Sequence, residues 1–256
     1  MIDIGQGDSI LIQLPSNKGT YLIDTGGRMS FVKEAWQKRR TESSVGKNTL
    51  IPVLKAKGIT SLDKVFVTHA HADHMGELET LAKEIRIQEI YISKGTSKKG
   101  MLKHTLEVLN RIPVIEIAKG DVVGTNEYPF EVLSPRKPSE NTNNDSLVLR
   151  ARLGGLIWLF TGDAEREIEQ ELLQEEIRAD VLKAGHHGSK TSSSAAFVAK
   201  VQPSWALISC GVNNHFGHPN QETLATFEKN QVEVLRTDQN GMIVYRFFGG
   251  FQTKLK

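Results

Sequence analysis

Short apolar runs broken by polar turn clusters dominate the chain, and their period changes along it. Residues 9–14 (SILIQL) and Thr20–Ile23 (TYLI) flank Pro15-Ser16-Asn17-Lys18-Gly19, which predicts a β-hairpin closed by Asp24-Thr25-Gly26-Gly27. Residues 64–68 (KVFVT) and 89–93 are strand-sized runs. Between them Leu78, Leu81, Ala82 and Ile85 share one helical face, so 76–85 predicts an amphipathic helix. Residues 49–57 (TLIPVLKAK) predict another, stopped at Gly58, and a third runs through His104 to Leu109. In the second half 129–133, 146–153, Leu156–Phe160, 180–183, 205–209, 233–235 and 242–247 predict strands, and Gly154-Gly155 joins the second of these to the third. Residues 165–177 predict a helix with Ile168, Leu172 and Leu173 inward, and 28–48, polar and basic, read as a surface excursion. Two strand-rich halves with helices between them predict an α/β fold of two sheets packed face to face, with helices outside.

Composition narrows this picture only a little. The chain has 256 residues, enough for one substantial core, and 39% hydrophobic with 24% charged residues excludes wholesale disorder. A net charge of +2 excludes a strongly basic nucleic-acid binder, so contact with an anionic polymer must come from local patches. Lys33, Lys38, Arg39, Arg40, Lys98 and Lys99 are the candidates, although each taken singly reads as part of a solvated face. No row of aromatic residues offers a base-stacking surface, which points to sequence-independent contact with a backbone. No apolar run approaches the roughly 20 residues that span a bilayer. The start, Met1-Ile2-Asp3-Ile4-Gly5, lacks the basic and apolar regions of a signal peptide and enters a strand and turn at once. Residues 1–256 therefore read as a single domain excised from a longer chain. Cys210 is the one cysteine, so no intrachain disulfide or thiolate metal cluster can form, and it reads as a small buried residue at a strand end.

The chemistry concentrates in Thr68-His69-Ala70-His71-Ala72-Asp73-His74-Met75-Gly76, directly after a strand. Imidazole nitrogen and carboxylate oxygen are ligands for zinc, manganese or iron. In an extended segment His69 and His71 project to one side, and a tight turn then swings Asp73 and His74 toward a neighbouring point, which suits two adjacent metals. A histidine-rich surface loop is the bland alternative, but three of eight histidines fall in this one window. Asp163, in Phe160-Thr161-Gly162-Asp163, is placed either to bridge two metals or to cap the helix that follows. The doubled His186-His187 between Gly185 and Gly188 follows another strand and reads equally as ligand or loop. In Asn213-Asn214-His215-Phe216-Gly217-His218-Pro219, His218 is the better candidate for contact with substrate or for proton donation, His215 the weaker. His104 reads as a helix-surface residue.

The run His69-Ala-His71-Ala-Asp73-His74 resembles the H-x-H-x-D-H signature of the metallo-β-lactamase superfamily. Asp24 in "LIDTGG" is similar to its early conserved aspartate and Asp163 in "FTGD" to its bridging aspartate. The resemblance implies an αββα sandwich with a dinuclear site at one edge. More narrowly, "DIGQGDS", "NNDSLVL", "GHHGSKTS" and "NNHFGHP" together resemble the C-terminal hydrolase domain of ComEC/Rec2 proteins, the membrane channels for DNA uptake in competent bacteria. That likeness implies a domain of a bacterial membrane protein, with the extracytoplasmic side favoured, whose partners are DNA and the membrane-channel portion of the same protein. One departure stands out. Where many superfamily members place a histidine ligand, this chain reads Asn143-Asn144-Asp145-Ser146, so the metal nearest His69 and His71 is completed by Asn144, Asp145 or water, or is bound more weakly.

The resulting expectation is phosphodiester hydrolysis, in DNA, by two divalent metal ions, manganese or zinc. His69, His71 and Asp163 are assigned to one metal, and Asp73, His74, Asp163 and one of the His186/His187 pair, with His187 preferred, to the other. His186 and His218 are then catalytic candidates with Asp73, Ser189 and Asn144 substrate-binding candidates, and Asp24 orients a ligand from behind. Hydrolysis of a small ester or phosphoester, or a catalytically weak DNA-binding or regulatory module, are the alternatives, because a fold does not set a substrate.

Overall fold

Strands whose side chains are apolar in both directions need cover on both faces. In the computed structural model, which describes residues 1–28 and 44–254, the strands form two main sheets and one small one. The first sheet has the order β1 (Ile10–Gln13), β2 (Thr20–Ile23), β3 (Ser61–Val67), β4 (Arg86–Ser93), β5 (Val114–Ile117). The second comprises β6 (Val122–Gly124), β7 (Pro129–Ser134), β8 (Val148–Leu153), β9 (Leu156–Phe160), β10 (Val181–Lys183), β11 (Trp205–Ile208) and β12 (Glu233–Arg236), side by side in that order. A hairpin of β13 (Met242–Arg246) and β14 (Gly250–Lys254) forms its own small sheet and packs Ile243, Tyr245 and Phe251 against the core. The helices are α1 (Ile51–Ala56), α2 (Ala72–Met75), α3 (Leu78–Glu84), α4 (Gly100–Val108), α5 (Arg166–Leu172), α6 (Ala195–Val201), α7 (Gln221–Lys229) and α8 (Thr237–Asn240).

Period-two alternation sorts the strand residues into layers. Phe66 of β3 joins Tyr21, Phe130, Leu149 and Phe160 in the core between the sheets, while its neighbours Val65 and Val67 face Leu54, Leu78 and Leu81 of the helices outside the first sheet. On β9, Trp158 and Phe160 enter the inter-sheet core, and Leu159 packs with Ile168, Leu172, Phe197 and Phe227 under the opposite helices. The result is the αββα sandwich expected from the sequence.

Strand direction then places the chemistry. β2 to β5 run parallel, as do β9 to β12, while β1 and β6 to β8 are antiparallel to their neighbours. Asp24, His69, Asp163, His187 and Ser209 follow the C-terminal ends of β2, β3, β9, β10 and β11, the edge at which open α/β sheets bind ligands. Several sequence boundaries shift. The helix expected over 165–177 stops at Leu172, and buried Ile177 belongs to the extended lead into β10. The strand expected from Ser146 starts at Val148, because Thr142–Asp145 forms a 3-10 turn. The surface excursion over 28–48 ends early, since Val45 and Gly46 are buried at the start of a wide turn leading into α1. Lys33, Lys38, Arg39 and Arg40 lie outside the described residues.

Two loops brace the turn that carries Asp73 and His74. The N–H groups of Thr25 and Gly26 donate to the His74 carbonyl at 2.6 and 3.1 Å, and that of Asp8 donates to the Asp73 carbonyl at 3.1 Å. The approach is so close that a Cβ on Gly27, where φ is +153°, would lie 2.0 Å from the Ala72 carbonyl oxygen, and one on Gly7 would lie 2.3 Å from that of Asp73. Backbone has to move to admit either. Gly27→Ala is therefore expected to lower unfolding stability by about 2 kcal/mol or more in urea denaturation. A loss below about 0.5 kcal/mol, the range of neutral surface changes, would contradict the close packing.

Candidate metal centre

A strand end and one turn of helix aim the signature residues. His69 follows β3, His71 is the extended residue before α2, and Asp73 and His74 lie in that helix's single turn. The imidazoles of His69 and His74 meet the other half of the molecule at Asp163. Its Oδ2 lies 3.2 Å from His74 Nε2, 3.5 Å from His187 Nε2, and 3.9 Å from both His69 Nε2 and His186 Nε2. His187 Nε2 is also 3.3 Å from Asp73 Oδ2, and His71 Nδ1 is 3.1 Å from His69 Nε2. Asp163 does not cap the following helix, where Glu165 is the N-cap residue.

Behind these edges a second set of groups fixes each ring. Asp24 Oδ2 lies 2.8 Å from His74 Nδ1, and the same carboxylate accepts the Thr68 N–H at 2.8 Å and its hydroxyl at 2.7 Å. His187 Nδ1 lies 2.9 Å from the Ser209 carbonyl, which only an N–H can satisfy. Asp8 meets both rings on this side, 3.9 Å from His74 Nδ1 and 3.4 Å from His187 Nδ1. Asp8 is paired in turn with the buried ammonium of Lys183, which donates to the Gly162 carbonyl at 3.0 Å and lies 3.8 Å from Asp163 Oδ1. Rings tied at Nδ1 present Nε2 forward, the arrangement that fixes metal-binding histidines.

The residues fit a divalent cation. Asp8 Oδ1, Asp73 Oδ1 and Asp163 Oδ1 are buried with no hydrogen-bond partner, a costly condition that a cation relieves. Donor atoms of Asp8, His74, Asp163 and His187 lie within 4.8 Å of one another. Of these, Asp8 approaches from the Nδ1 side and is held by Lys183, so we read it as support for the ligands. The nitrogen and oxygen donors suit zinc or manganese.

Charge inside the cluster is balanced by protons when no cation is bound. Burial opposes a charge on His74, yet Asp163 and Asp24 hold its pKa well above the ordinary imidazole value. Burial likewise opposes a charge on His187, but Asp163 and Asp8 raise it to about 9. Burial would raise Asp8, and Lys183 with His187 instead bring it down to about 2. His69 is pushed the other way, well below 6.5, by burial and by His74.

His186 and His187 both occupy left-handed backbone, φ +47° and +54°, a strain of about 1–3 kcal/mol each that turns the two rings to different positions. His186 is half-buried at the mouth, its Nδ1 3.1 Å from Glu165 Oε1 and 3.3 Å from Thr191 Oγ1. The His218 ring centroid lies 5.4 Å from that of His186 and 6.3 Å from that of His187. Ser189 is buried, with its hydroxyl against Thr191 Oγ1 at 3.0 Å. Asn144 donates to Glu167 at 2.6 Å and accepts the Glu165 N–H at 3.1 Å. Asp145 takes the Lys99 ammonium at 2.5 Å, which engages that lysine in an ion pair. The side chain of this stretch that reaches His69 is Ser146, its Oγ 3.4 Å from Nδ1 while it accepts the Asp163 N–H at 3.0 Å. His104 and His215 are exposed, and Lys98 is too. Cys210 is buried, with Sγ 3.2 Å from Asp238 Oδ1.

Sequence reading missed Asp8, Lys183, Glu165 and Ser146. Asp8 stood within the quoted "DIGQGDS", and a lysine ending the apolar strand Val181–Lys183 was the available sign of a buried ion pair.

A bound cation must displace the His74 and His187 protons. Apparent affinity of chelator-stripped protein for zinc or manganese is therefore expected to rise with pH up to about 9, where His187 loses its proton unaided, by up to about tenfold per pH unit for each proton released. Over the same range the metal-free fold weakens. A raised His187 pKa contributes stability that is complete below about 6.5 and is lost as pH climbs through about 9. Titration calorimetry showing affinity flat from pH 6.5 to 9 would contradict this charge assignment.

Comparison with known proteins agrees with the geometry. The chain is 44% identical over 252 residues to ComE operon protein 3 of Bacillus subtilis, covering 96% of this chain and 32% of that protein. It is 28% identical over 247 residues to competence protein ComA of Neisseria gonorrhoeae, covering 95% of this chain and 31% of that one. The chain thus spans about a third of the length of these relatives. Among solved structures, the metallo-beta-lactamase fold protein YhfI from Bacillus subtilis superposes with a TM-score of 0.58 at 14% identity, covering 90% of this chain and 88% of that one. The sequence model of the metallo-beta-lactamase superfamily matches residues 2–212, and the chain belongs to that superfamily.

Proposed function

We propose that this domain is a metal-dependent phosphodiester hydrolase that cleaves DNA during uptake. The observation that carries the reading is the convergence of four imidazole Nε2 edges on one buried carboxylate oxygen, Asp163 Oδ2, beside buried Asp73 and Asp163 oxygens that lack hydrogen-bond partners. The likeness to a competence protein supports DNA as the substrate class. His69, His71 and Asp163 would hold one divalent ion, and Asp73, His74, Asp163 and His187 the other. Two such ions, manganese or zinc, supply a water with a pKa lowered toward about 7 and offset charge on the phosphoryl oxygens.

The chain's own groups divide the remaining work. Asp24 and the Ser209 carbonyl orient His74 and His187. Glu165 holds His186 by Nδ1 at the mouth, leaving Nε2 to protonate the leaving oxygen, a carboxylate–imidazole arrangement suited to general acid catalysis. Burial, together with His187 and His186, lowers the His218 pKa to about 4. With its ring 5.4 Å from that of His186, His218 is placed to hold a phosphoryl oxygen at the mouth. Ser189 shapes this wall through its bond to Thr191, and Asn144 acts by fixing Glu165 and Glu167. Among the described residues no helix is long and apolar enough to cross a membrane. In the full-length protein we place the domain beside the membrane-channel portion, on the extracytoplasmic side.

End-labelled single- and double-stranded DNA tests this directly. Cleavage is expected with manganese or zinc and not with chelator. It should fall roughly 10- to 100-fold in Asp24→Ala, the usual effect of removing the partner of a ligand, and further in Asp73→Ala. Cleavage at full rate in chelator, or an Asp73→Ala variant as fast as wild type, contradicts the mechanism. A folded, metal-loaded protein that cleaves no DNA moves the substrate to a small ester.

A further inference from the structure

We infer that the loop at 211–219 builds a nucleobase subsite beside the metal cluster, with Phe216 as its stacking platform. This deepens the phosphodiesterase reading and rests on it. Phe216 is 42% exposed, a large apolar ring in water at the edge of a polar site. Its exposure is built in. The Asn214 side chain donates to the carbonyls of Gly211 and His218, at 2.9 and 2.5 Å, and accepts the N–H groups of Phe216 and His218, at 3.2 and 3.0 Å. The Gly211 N–H is tied across to Gln6 Oε1 at 3.1 Å. A loop held in this way presents its ring at a fixed place.

That place is the outer end of a file of rings. Phe216 stacks on His218, centroids 5.8 Å apart and planes 26° apart, and His218 leads on to His186 and His187. A cavity of about 260 Å³ lies alongside, with Asp73 of the cluster, Gln6, Arg28, Asn214, His215 and Phe216 in its lining. It thus joins a π-face, a guanidinium, the Gln6 amide and a cluster carboxylate, the complement of a nucleotide whose phosphate sits at the metals. Its volume falls below the roughly 300–1,000 Å³ of pockets for drug-sized ligands, so it suits one nucleotide unit. A paired base has both faces covered and cannot stack there, which favours single strands or frayed ends. Every base offers a π-face, so the preference is for an unpaired base of any kind.

The test compares a single-stranded oligonucleotide with an abasic strand of the same length and backbone, using wild type, Phe216→Ala and Phe216→Trp. Wild type is expected to favour the intact strand about tenfold or more in kcat/KM. Phe216→Ala should raise KM for the intact strand roughly 5- to 100-fold with kcat within about twofold, and leave the abasic strand unchanged. Phe216→Trp should restore the preference. Equal slowing of both strands by Phe216→Ala, or no preference in wild type, overturns the subsite. A parallel measurement does not need cleavage. With Ca²⁺ as the metal, fluorescence of a 2-aminopurine strand should be quenched on binding to wild type and Phe216→Trp, and not to Phe216→Ala. If wild type cleaves neither strand, the hydrolytic reading fails, and the quench alone then upholds or overturns the base subsite.

Discussion

The molecule is organised around one electrostatic problem, the burial of Asp8, Asp24, Asp73 and Asp163 around the imidazoles of His74 and His187. Carboxylates in a protein interior repel, and each resists leaving water unless an opposite charge or a hydrogen bond meets it. Protonated imidazoles, the Lys183 ammonium and backbone N–H groups meet part of that demand. The Asp73 and Asp163 oxygens left without hydrogen-bond partners lie on the side where the Nε2 edges converge, where a cation fits. The rigidity behind the site follows from the same demand. A ligand held by Asp24 or Ser209 cannot swing away when its neighbours change charge.

The two-sheet architecture makes this possible. Each half contributes residues that could not gather alone, His69 to His74 from the first sheet and Asp163 to His187 from the second. The phenylalanine-rich layer between the sheets fixes their separation, so the two sets of side chains arrive at a common edge. Close packing of Gly7 and Gly27 on the intervening turn removes the remaining freedom.

Legibility of the chain followed distance along it. Residues His69 to His74 announce themselves because all four lie on one short turn after a strand. The apolar strands Leu156–Phe160 and Thr20–Ile23 were readable for the same reason, since their pattern is local. The short strands β5 and β6 escaped because Val114 and Val122 are apolar though exposed, so the inward alternation of Ile115, Ile117 and Val123 is not visible in runs of three or four residues. Asp8 and Lys183 escaped because their pairing depends on the Asp8 loop reaching the β10 edge, which no spacing encodes. The Asn143–Ser146 stretch shows the limit most clearly. The sequence signalled a departure there, but only the 3-10 turn reveals that Asn144 and Asp145 turn to Glu165, Glu167 and Lys99 while Ser146 faces His69.

The central claim is that this buried carboxylate–imidazole cluster exists to bind divalent metal through Asp163. Its most direct test is metal content by mass spectrometry of stripped and reloaded protein, wild type beside Asp163→Ala, with folding checked by circular dichroism. The account predicts two ions per wild-type chain and fewer than one in the folded variant. A wild type that takes up no metal at any loading, or a variant that still retains two, would contradict it.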